Sequence, residues 1–241
     1  MKCKGCNENK KLIKAHIIPE SFFVSMKSSN KPLKVITNIS GVYPKKSPIG
    51  IYDQNILCRE CENRFQKIDD YAFRILIAEE DKQIPIYDND VVVGYQLNNV
   101  DVSKLKLFFV SILWRASISG QPFFSKINLG ELEDKAKSLI WNESSGGADD
   151  FSFVLAKFDN VSGNVSKTIM DPHPEIWFGA NCYRFYFYGY ILYIKADLCD
   201  TPNEWKEFIP DGNDLIIVSR GRVEDSKEFP IFIDAIRMQK T

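Results

Sequence analysis

The chain has 241 residues, of which 44% are hydrophobic and 26% are charged, a composition that indicates a globular protein and excludes a low-complexity chain. The net charge of −1 excludes a uniformly basic nucleic-acid binder. The charge is uneven, because residues 1–70 carry 13 Lys and Arg against 7 Asp and Glu while the remainder carries 18 against 25, so any phosphate contacts are expected in the N-terminal part.

The N-terminal third is predicted to hold short strands and helices. Residues 12–17 and 33–39 have the pattern of short strands. A helix begins near Pro19, since proline is well tolerated in a first helical turn. Apolar residues at helical spacing predict one long helix over residues 59–81.

The rest of the chain is predicted to mix helices with a sheet. The predicted elements are helices 104–119 and 129–141 and strands at 91–97, 151–158, 184–194 (a pair with a turn near Gly189), 215–219 and 229–233. Helix 104–119, capped by Ser103, is apolar on nearly every face and is expected at the centre of the fold. The predicted class is α+β, with a zinc module over residues 1–80 joined to a larger mixed helix and antiparallel-sheet domain over 81–241.

Two C-x-x-C pairs are the strongest chemical signal. Cys3 and Cys6 form the first pair, and Cys58 and Cys61 form the second. Each pair places two thiolates on one tight turn, and two such turns complete a tetrahedral sulfur shell for zinc. A closed shell leaves no open coordination position, so this zinc would be structural. The alternative is a redox pair, which usually stands at a helix start in a βαβ pattern that this sequence lacks.

Further motifs between the cysteine pairs resemble the HNH nucleases, which are ββα-metal enzymes built on a treble-clef zinc finger. The matching residues are Cys3-x-x-Cys6, His16-Ile17-Ile18-Pro19, Gly50, Asp53 and Asn55-Ile56-Leu57-Cys58-x-x-Cys61. The resemblance covers about residues 1–75. It implies a treble-clef, ββα-metal module and a metal-dependent endonuclease that hydrolyses nucleic acid, with DNA the favoured substrate, as in bacterial defence and mobile-element proteins.

The resemblance also implies roles for individual residues. His16 would be the general base that activates water for attack on the phosphate. Asn55 would brace its loop and orient His16. The imidazole suits this task because its ordinary pKa lies near working pH.

Two positions depart from the family pattern. Ala15 stands where an acidic metal ligand is usual, and Glu62 stands where the family has His or Asn. Glu62, Asp69 or Asp53, in combination with His16, could rebuild a site for Mg²⁺ or Mn²⁺, since carboxylate oxygens suit these ions. Asp69 lies two turns beyond Glu62 on the predicted helix, so the two share one face.

These departures leave other functions open. One alternative is an inactive zinc-finger module that binds nucleic acid or a protein partner, and a homodimer is also open. Another is a finger that only caps the larger domain, with the function in a C-terminal pocket. No signal peptide and no transmembrane run are apparent, so we expect a cytoplasmic protein without a membrane partner.

Two further features are assigned no chemistry. His173, between Pro172 and Pro174, is predicted to lie in a stiff surface turn. Arg115, beside Trp114 in the apolar helix, is predicted to be a core arginine with satisfied hydrogen bonds.

Overall fold

A seven-stranded sheet is the largest feature of the computed structural model, which describes residues 1–25, 34–35, 45–46, 50–158, 169–209, 212–226, 228–230 and 233. The strands are β1 (Ala15–His16), β2 (Lys34–Val35), β3 (Lys45–Lys46), β4 (Tyr52–Asp53), β5 (Ile84–Asp88), β6 (Val91–Leu97), β7 (Phe153–Lys157), β8 (Met170–Trp177), β9 (Ala180–Phe187), β10 (Tyr190–Lys195) and β11 (Leu215–Ser219). The helices are α1 (Glu20–Ser25), α2 (Arg59–Asn63), α3 (Gln66–Phe73), α4 (Val102–Ser117), α5 (Leu132–Trp141) and α6 (Asn203–Lys206).

The strand order of the large sheet is β5-β6-β11-β7-β10-β9-β8. Neighbouring strands are antiparallel, with the exception of the parallel pair β11 and β7. Two smaller antiparallel pairs, β1 with β4 and β2 with β3, belong to the N-terminal part. The α+β class and the antiparallel character of the larger part are therefore confirmed.

Helix α4 occupies the centre of the fold, as predicted. Every residue from 107 to 116 is buried, which explains why the sequence of this helix is apolar on nearly every face. The helix begins two residues earlier than expected, and its N-cap is Asp101 rather than Ser103. The carboxylate of Asp101 accepts a hydrogen bond from the backbone N–H of Lys104 at 2.9 Å, which satisfies a donor of the first turn.

The N-terminal residues and the sheet share one apolar core. The ring of Phe22 in α1 stacks on Phe108 of α4, with 5.6 Å between centroids, and meets Phe187 of β9 edge-on at 5.8 Å. Phe65 packs against Trp114 of α4 in the same core. The division of the chain into two domains near residue 80 remains a prediction. One buried core contains residues from both sides of that boundary.

The predicted long helix over 59–81 is interrupted. It is divided into α2, α3, a π-helical turn (Arg74–Ala78) and a 3₁₀ turn (Glu80–Lys82). Periodicity cannot detect these changes, because all of these forms place apolar residues three to five positions apart. The buried side of the segment is nevertheless the predicted one, since Phe65 and Leu76 are both buried.

Other differences concern short strands. The predicted strand 12–17 is reduced to β1 and a single bridge from Leu12 to Cys58. The surface turn predicted around His173 is wrong, because residues 171–175 lie within β8. Strand β8 is at the edge of the sheet, where missing proline N–H groups are tolerated.

The C-terminal strand predicted at 229–233 is wrong where the structure describes it, since Phe229, Pro230 and Ile233 are helical. Of the strand predicted at 33–39, only residues 34–35 lie within the described residues, and these form β2. Within the described part of the chain, no helix is long and apolar enough to cross a membrane.

Candidate functional site

The four cysteines of the two C-x-x-C pairs meet in one cluster. Their Sγ atoms all lie within 4.8 Å of one another, and the Sγ atoms of Cys6 and Cys58 are 4.0 Å apart. A tetrahedral shell with Zn–S bonds of about 2.3 Å requires sulfurs roughly 3.8 Å apart, so the donor set and its spacing fit a zinc ion. The four cysteines near the N-terminus are therefore close enough to bind a metal ion, as the sequence predicted.

The electrostatics of the cluster favour a bound cation. Burial raises the pKa of the Cys3 thiol, but backbone N–H groups of Cys6, Cys58 and Gly5 outweigh it and lower the pKa to about 7. Burial and the neighbouring thiols raise the pKa of Cys61 well above its ordinary value. Four close thiolates oppose one another's ionisation, and a dication would remove this repulsion.

The first turn of the cluster leaves no room for a side chain at Gly5. A Cβ atom there would lie 2.7 Å from the Sγ of Cys61 and 3.0 Å from the ring of Trp141. The backbone N–H of Cys58 donates to the Sγ of Cys3 at 3.3 Å. The two turns thus approach each other closely, which explains glycine between Cys3 and Cys6.

His16 is on β1, which pairs with β4. The imidazole contacts the ring of Tyr52 edge-on, with 5.9 Å between centroids. The ammonium of Lys14 lies 5.0 Å from the centroid of the same ring. Lys14 and the half-buried His16 therefore both contact the ring of Tyr52.

Glu62 links α2, the helix that carries Cys61, to His16. It follows Cys61 directly on α2, and its Oε1 accepts a hydrogen bond from the backbone N–H of His16 at 3.1 Å. Its Oε2 is buried and has no hydrogen-bond partner among the described residues. Burial raises the pKa of this carboxyl, while the positive charge of Arg115 and the amide of His16 oppose the rise.

Asp69 and Arg115 form a buried ion pair behind His16. The guanidinium donates to both carboxylate oxygens of Asp69 at 2.8 and 3.0 Å and to the carbonyl oxygen of His16 at 3.0 Å. Two more hydrogen bonds run to Ser111, and the guanidinium lies 4.5 Å from the centroid of Phe65. Burial raises the pKa of Asp69, and the charge of Arg115 opposes this rise.

Asp53 is not brought to His16. It is opposite Ala15 in the β1–β4 pair, whereas Tyr52 is opposite His16, and successive side chains of a strand point to opposite faces. Its Oδ2 accepts from Ser119 Oγ at 2.9 Å and from the N–H of Gly120 at 2.8 Å. Asp53 therefore connects the residues that directly follow α4 to the N-terminal part through hydrogen bonds.

Asn55 is exposed, and its backbone N–H donates to Oδ1 of Asp53 at 2.8 Å. The structure thus connects His16 with Glu62 directly and with Asp69 through Arg115, whereas Asp53 faces away from His16 and Asn55 contacts Asp53. Within the described residues, the four cysteines are the one group of three or more Cys, His, Asp or Glu ligand atoms close enough to hold a metal. The Mg²⁺ or Mn²⁺ site therefore stays a prediction.

Arg115 is the residue of this site whose role the sequence did not reveal. It was expected to be a satisfied core arginine, and it is, but its partners Asp69 and His16 lie 46 and 99 positions away. The available signal is the one charged residue within the buried stretch 107–116 of α4, since a buried charge requires a partner.

Comparison with protein-family models found no match to this chain, and comparison with curated proteins and with solved structures found none either.

Proposed function

We propose that this protein is a zinc-stabilised, HNH-like, metal-dependent endonuclease whose cutting site lies at His16 and Glu62. The order of the elements supports this proposal: a β pair carrying His16 is joined to a helix that begins at the second cysteine pair and carries Glu62. This order of two strands and a helix near a sulfur cluster is the one that the resemblance to a treble-clef, ββα-metal module leads us to expect, and it supports the proposal. We take DNA as the substrate, in keeping with the excess of Lys and Arg in residues 1–70.

The observation that carries the proposal is the state of the Glu62 carboxylate. One oxygen is fixed by the His16 backbone, and the other is buried without a partner among the described residues. A buried carboxylate oxygen without a partner is costly, and such sites often serve a ligand. Glu62 also stands at the helix position where the resemblance implies a metal ligand.

Each residue of the proposed site would have its own role in hydrolysis. Glu62 would hold a Mg²⁺ or Mn²⁺ ion, whose positive charge would stabilise the negative charge that develops on the phosphate and the leaving oxygen. His16 would accept the proton of the attacking water. Lys14 would attract the phosphate backbone, and Arg115 would hold the backbone of His16 in place through its carbonyl oxygen.

A second candidate function is a nucleic-acid-binding module without catalysis. It is favoured by Asp69, whose two oxygens are both bonded to Arg115, and by the fully buried Ala15 where the family has an acid. In this case the excess of lysine in the N-terminal part would bind phosphates, and affinity would fall steeply with salt concentration.

A cleavage assay with two histidine variants separates these functions. Zinc-loaded wild type, His16→Ala and His173→Ala would be incubated with plasmid DNA, single-stranded DNA and RNA in Mg²⁺ or Mn²⁺. The nuclease proposal predicts metal-dependent cutting by wild type and His173→Ala, and a loss of at least 100-fold in His16→Ala, since general-base catalysis contributes about 10²–10⁴-fold. Salt-sensitive DNA binding without cutting by any of the three would instead support the binding module.

A further inference from the structure

A cavity of about 420 Å³ lies at the opposite end of α4 from His16. It is an open cavity, and its lining comes from the first turns of α4, the loop over residues 145–149, the start of β7 and the segment around α6. Lys106 at the cavity and Arg115 at the candidate cutting site are nine residues apart on α4, which is about 14 Å along the helix axis at 1.5 Å per residue. The cavity is therefore a separate site, and its volume is in the range that accepts a nucleotide-sized ligand.

Two lysines from different elements line this cavity without a carboxylate partner. The Nζ of Lys106 donates to the carbonyl oxygen of Gly147 at 2.8 Å, and the Nζ of Lys206 lies 3.3 Å from the amide oxygen of Asn203. Among the described residues, neither lysine forms an ion pair. By contrast, the nearby Lys135 pairs with Asp150, so the chain does neutralise a lysine in this region.

The remaining walls of the cavity suit an organic molecule with an anionic group. Ser103 and Ser145 offer hydroxyl groups, while Val102, Phe153 and Ile209 supply apolar surface. This division of polar and apolar groups is typical of small-molecule sites.

Asp149 is the acidic residue that lines the cavity. Its Oδ1 accepts a hydrogen bond from the backbone N–H of Thr201 at 2.7 Å, and hydrogen bonds from Thr201 lower the pKa of the carboxyl. Asp149 is therefore ionised at neutral pH. Two ammonium groups against one carboxylate leave the lining with an excess of one positive charge, within a part of the chain whose overall charge is negative.

We propose that this cavity binds a small organic phosphate of nucleotide size. Its phosphate would lie between Lys106 and Lys206, within reach of the hydroxyl groups, because lysine binds phosphate as a point charge. Its apolar or aromatic part would lie against Phe153 and Ile209. This proposal does not rest on the nuclease proposal, since it concerns different residues and a binding event alone.

The environment of Lys106 agrees with this placement. Burial lowers the pKa of its ammonium group, while the charges of Asp150 and Asp149 oppose the change. A bound phosphate would favour the charged ammonium further and offset the cost of holding it in a half-buried position.

Calorimetric titration tests the proposal. Adenosine 5′-monophosphate, adenosine and inorganic phosphate would be titrated into wild type and into the double variant Lys106→Met/Lys206→Met. We expect the monophosphate to bind wild type at least tenfold more tightly than adenosine or inorganic phosphate does. We expect the double variant to lose at least tenfold in affinity, because both cations that face the phosphate are removed.

Lys104→Met is the matched control, since Lys104 is on the same helix but pairs with Asp101 and does not line the cavity. Its affinity for the monophosphate should equal that of wild type. Thermal unfolding would check that the double variant is folded, and the single variant Lys206→Met, at an exposed position, gives a second test if it is not. Absence of monophosphate binding by wild type, equal binding by adenosine, or equal binding by the lysine variants would overturn the proposal.

Discussion

Arg115 donates a hydrogen bond to each carboxylate oxygen of Asp69, and the same guanidinium holds the carbonyl oxygen of His16. The pair connects the central helix α4 with α3 and with the strand that carries His16. Arg115 is fully buried and Asp69 is largely buried, so the ion pair is shielded from solvent. We infer that it fixes the position of the candidate cutting site relative to the core.

Replacing Arg115 by Met should lower the free energy of unfolding by about 3–5 kcal/mol, because it leaves the Asp69 carboxylate buried without a partner. Denaturant unfolding would measure the change. The matched control is Arg74→Met, which removes the exposed pair of Arg74 with Glu79 and should cost about 1 kcal/mol or less. Equal losses in the two variants would contradict a stabilising role for the buried pair.

The cysteine cluster should bind one zinc ion per chain. Cys61→Ser should lose the stoichiometric zinc and lower the melting temperature, because two segments far apart in sequence are no longer joined. Metal analysis and thermal unfolding would measure both effects. Cys199→Ser is the control, since Cys199 is exposed and outside the cluster, and it should retain full zinc content. Zinc loss in both variants, or in neither, would be incompatible with the assigned ligands.

Gly5→Ala should weaken zinc binding at least tenfold. The added Cβ would come within 2.7 Å of the Cys61 Sγ and would force the two turns of the cluster apart. Competition with a chromogenic chelator would give the affinity. Gly120→Ala is the control, because a Cβ there meets only the Asp53 carboxylate at an ordinary 3.7 Å. If both alanine variants bind zinc as tightly as wild type, the close approach at Gly5 is not needed for the metal.

His173 should make stability depend on pH. Burial and the positive charge of Arg184 lower its pKa below the ordinary value of 6.5, while Glu175 and Asp171 oppose the shift and Lys126 adds to it. The depressed pKa contributes stability that is present above pH 6.5 and is lost as the pH falls through the folded-state value.

His173→Gln should therefore show a smaller fall in melting temperature between pH 7 and pH 5 than wild type does. Parallel thermal melts across this range would measure the difference. His16→Gln serves for comparison, since it removes the other histidine of the chain. A wild-type pH dependence that His173→Gln leaves unchanged would show that His173 does not cause it.

Local sequence patterns predicted those features that depend on local rules. Cysteine spacing identified the metal cluster, and alternating or apolar runs located β6 and β11 with the bounds that the structure gives. The apolar character of α4 correctly placed that helix at the centre, since a helix without a polar face must be covered on all sides.

The features that were missed depend on contacts between distant residues. Strand β8 contains Pro172 and Pro174, and two prolines so close together predict a turn. They are tolerated in this strand because β8 is at the edge of the sheet, which the sequence does not reveal. The pairing of Arg115 with Asp69 could not be derived, because no local pattern records which buried charges meet. For the same reason, the sequence grouped Asp53 with His16, although the β1–β4 register separates them onto opposite faces.

The dependence of DNA cleavage on Mn²⁺ concentration tests the central claim most directly, with zinc-loaded wild type and Glu62→Gln compared on plasmid DNA. The account predicts that wild type cuts at low Mn²⁺ and that Glu62→Gln needs at least tenfold more Mn²⁺, with unchanged zinc content, because the variant lacks the carboxylate that would hold the ion. Identical Mn²⁺ dependence of the two proteins, or no cutting by wild type at any concentration, would contradict it.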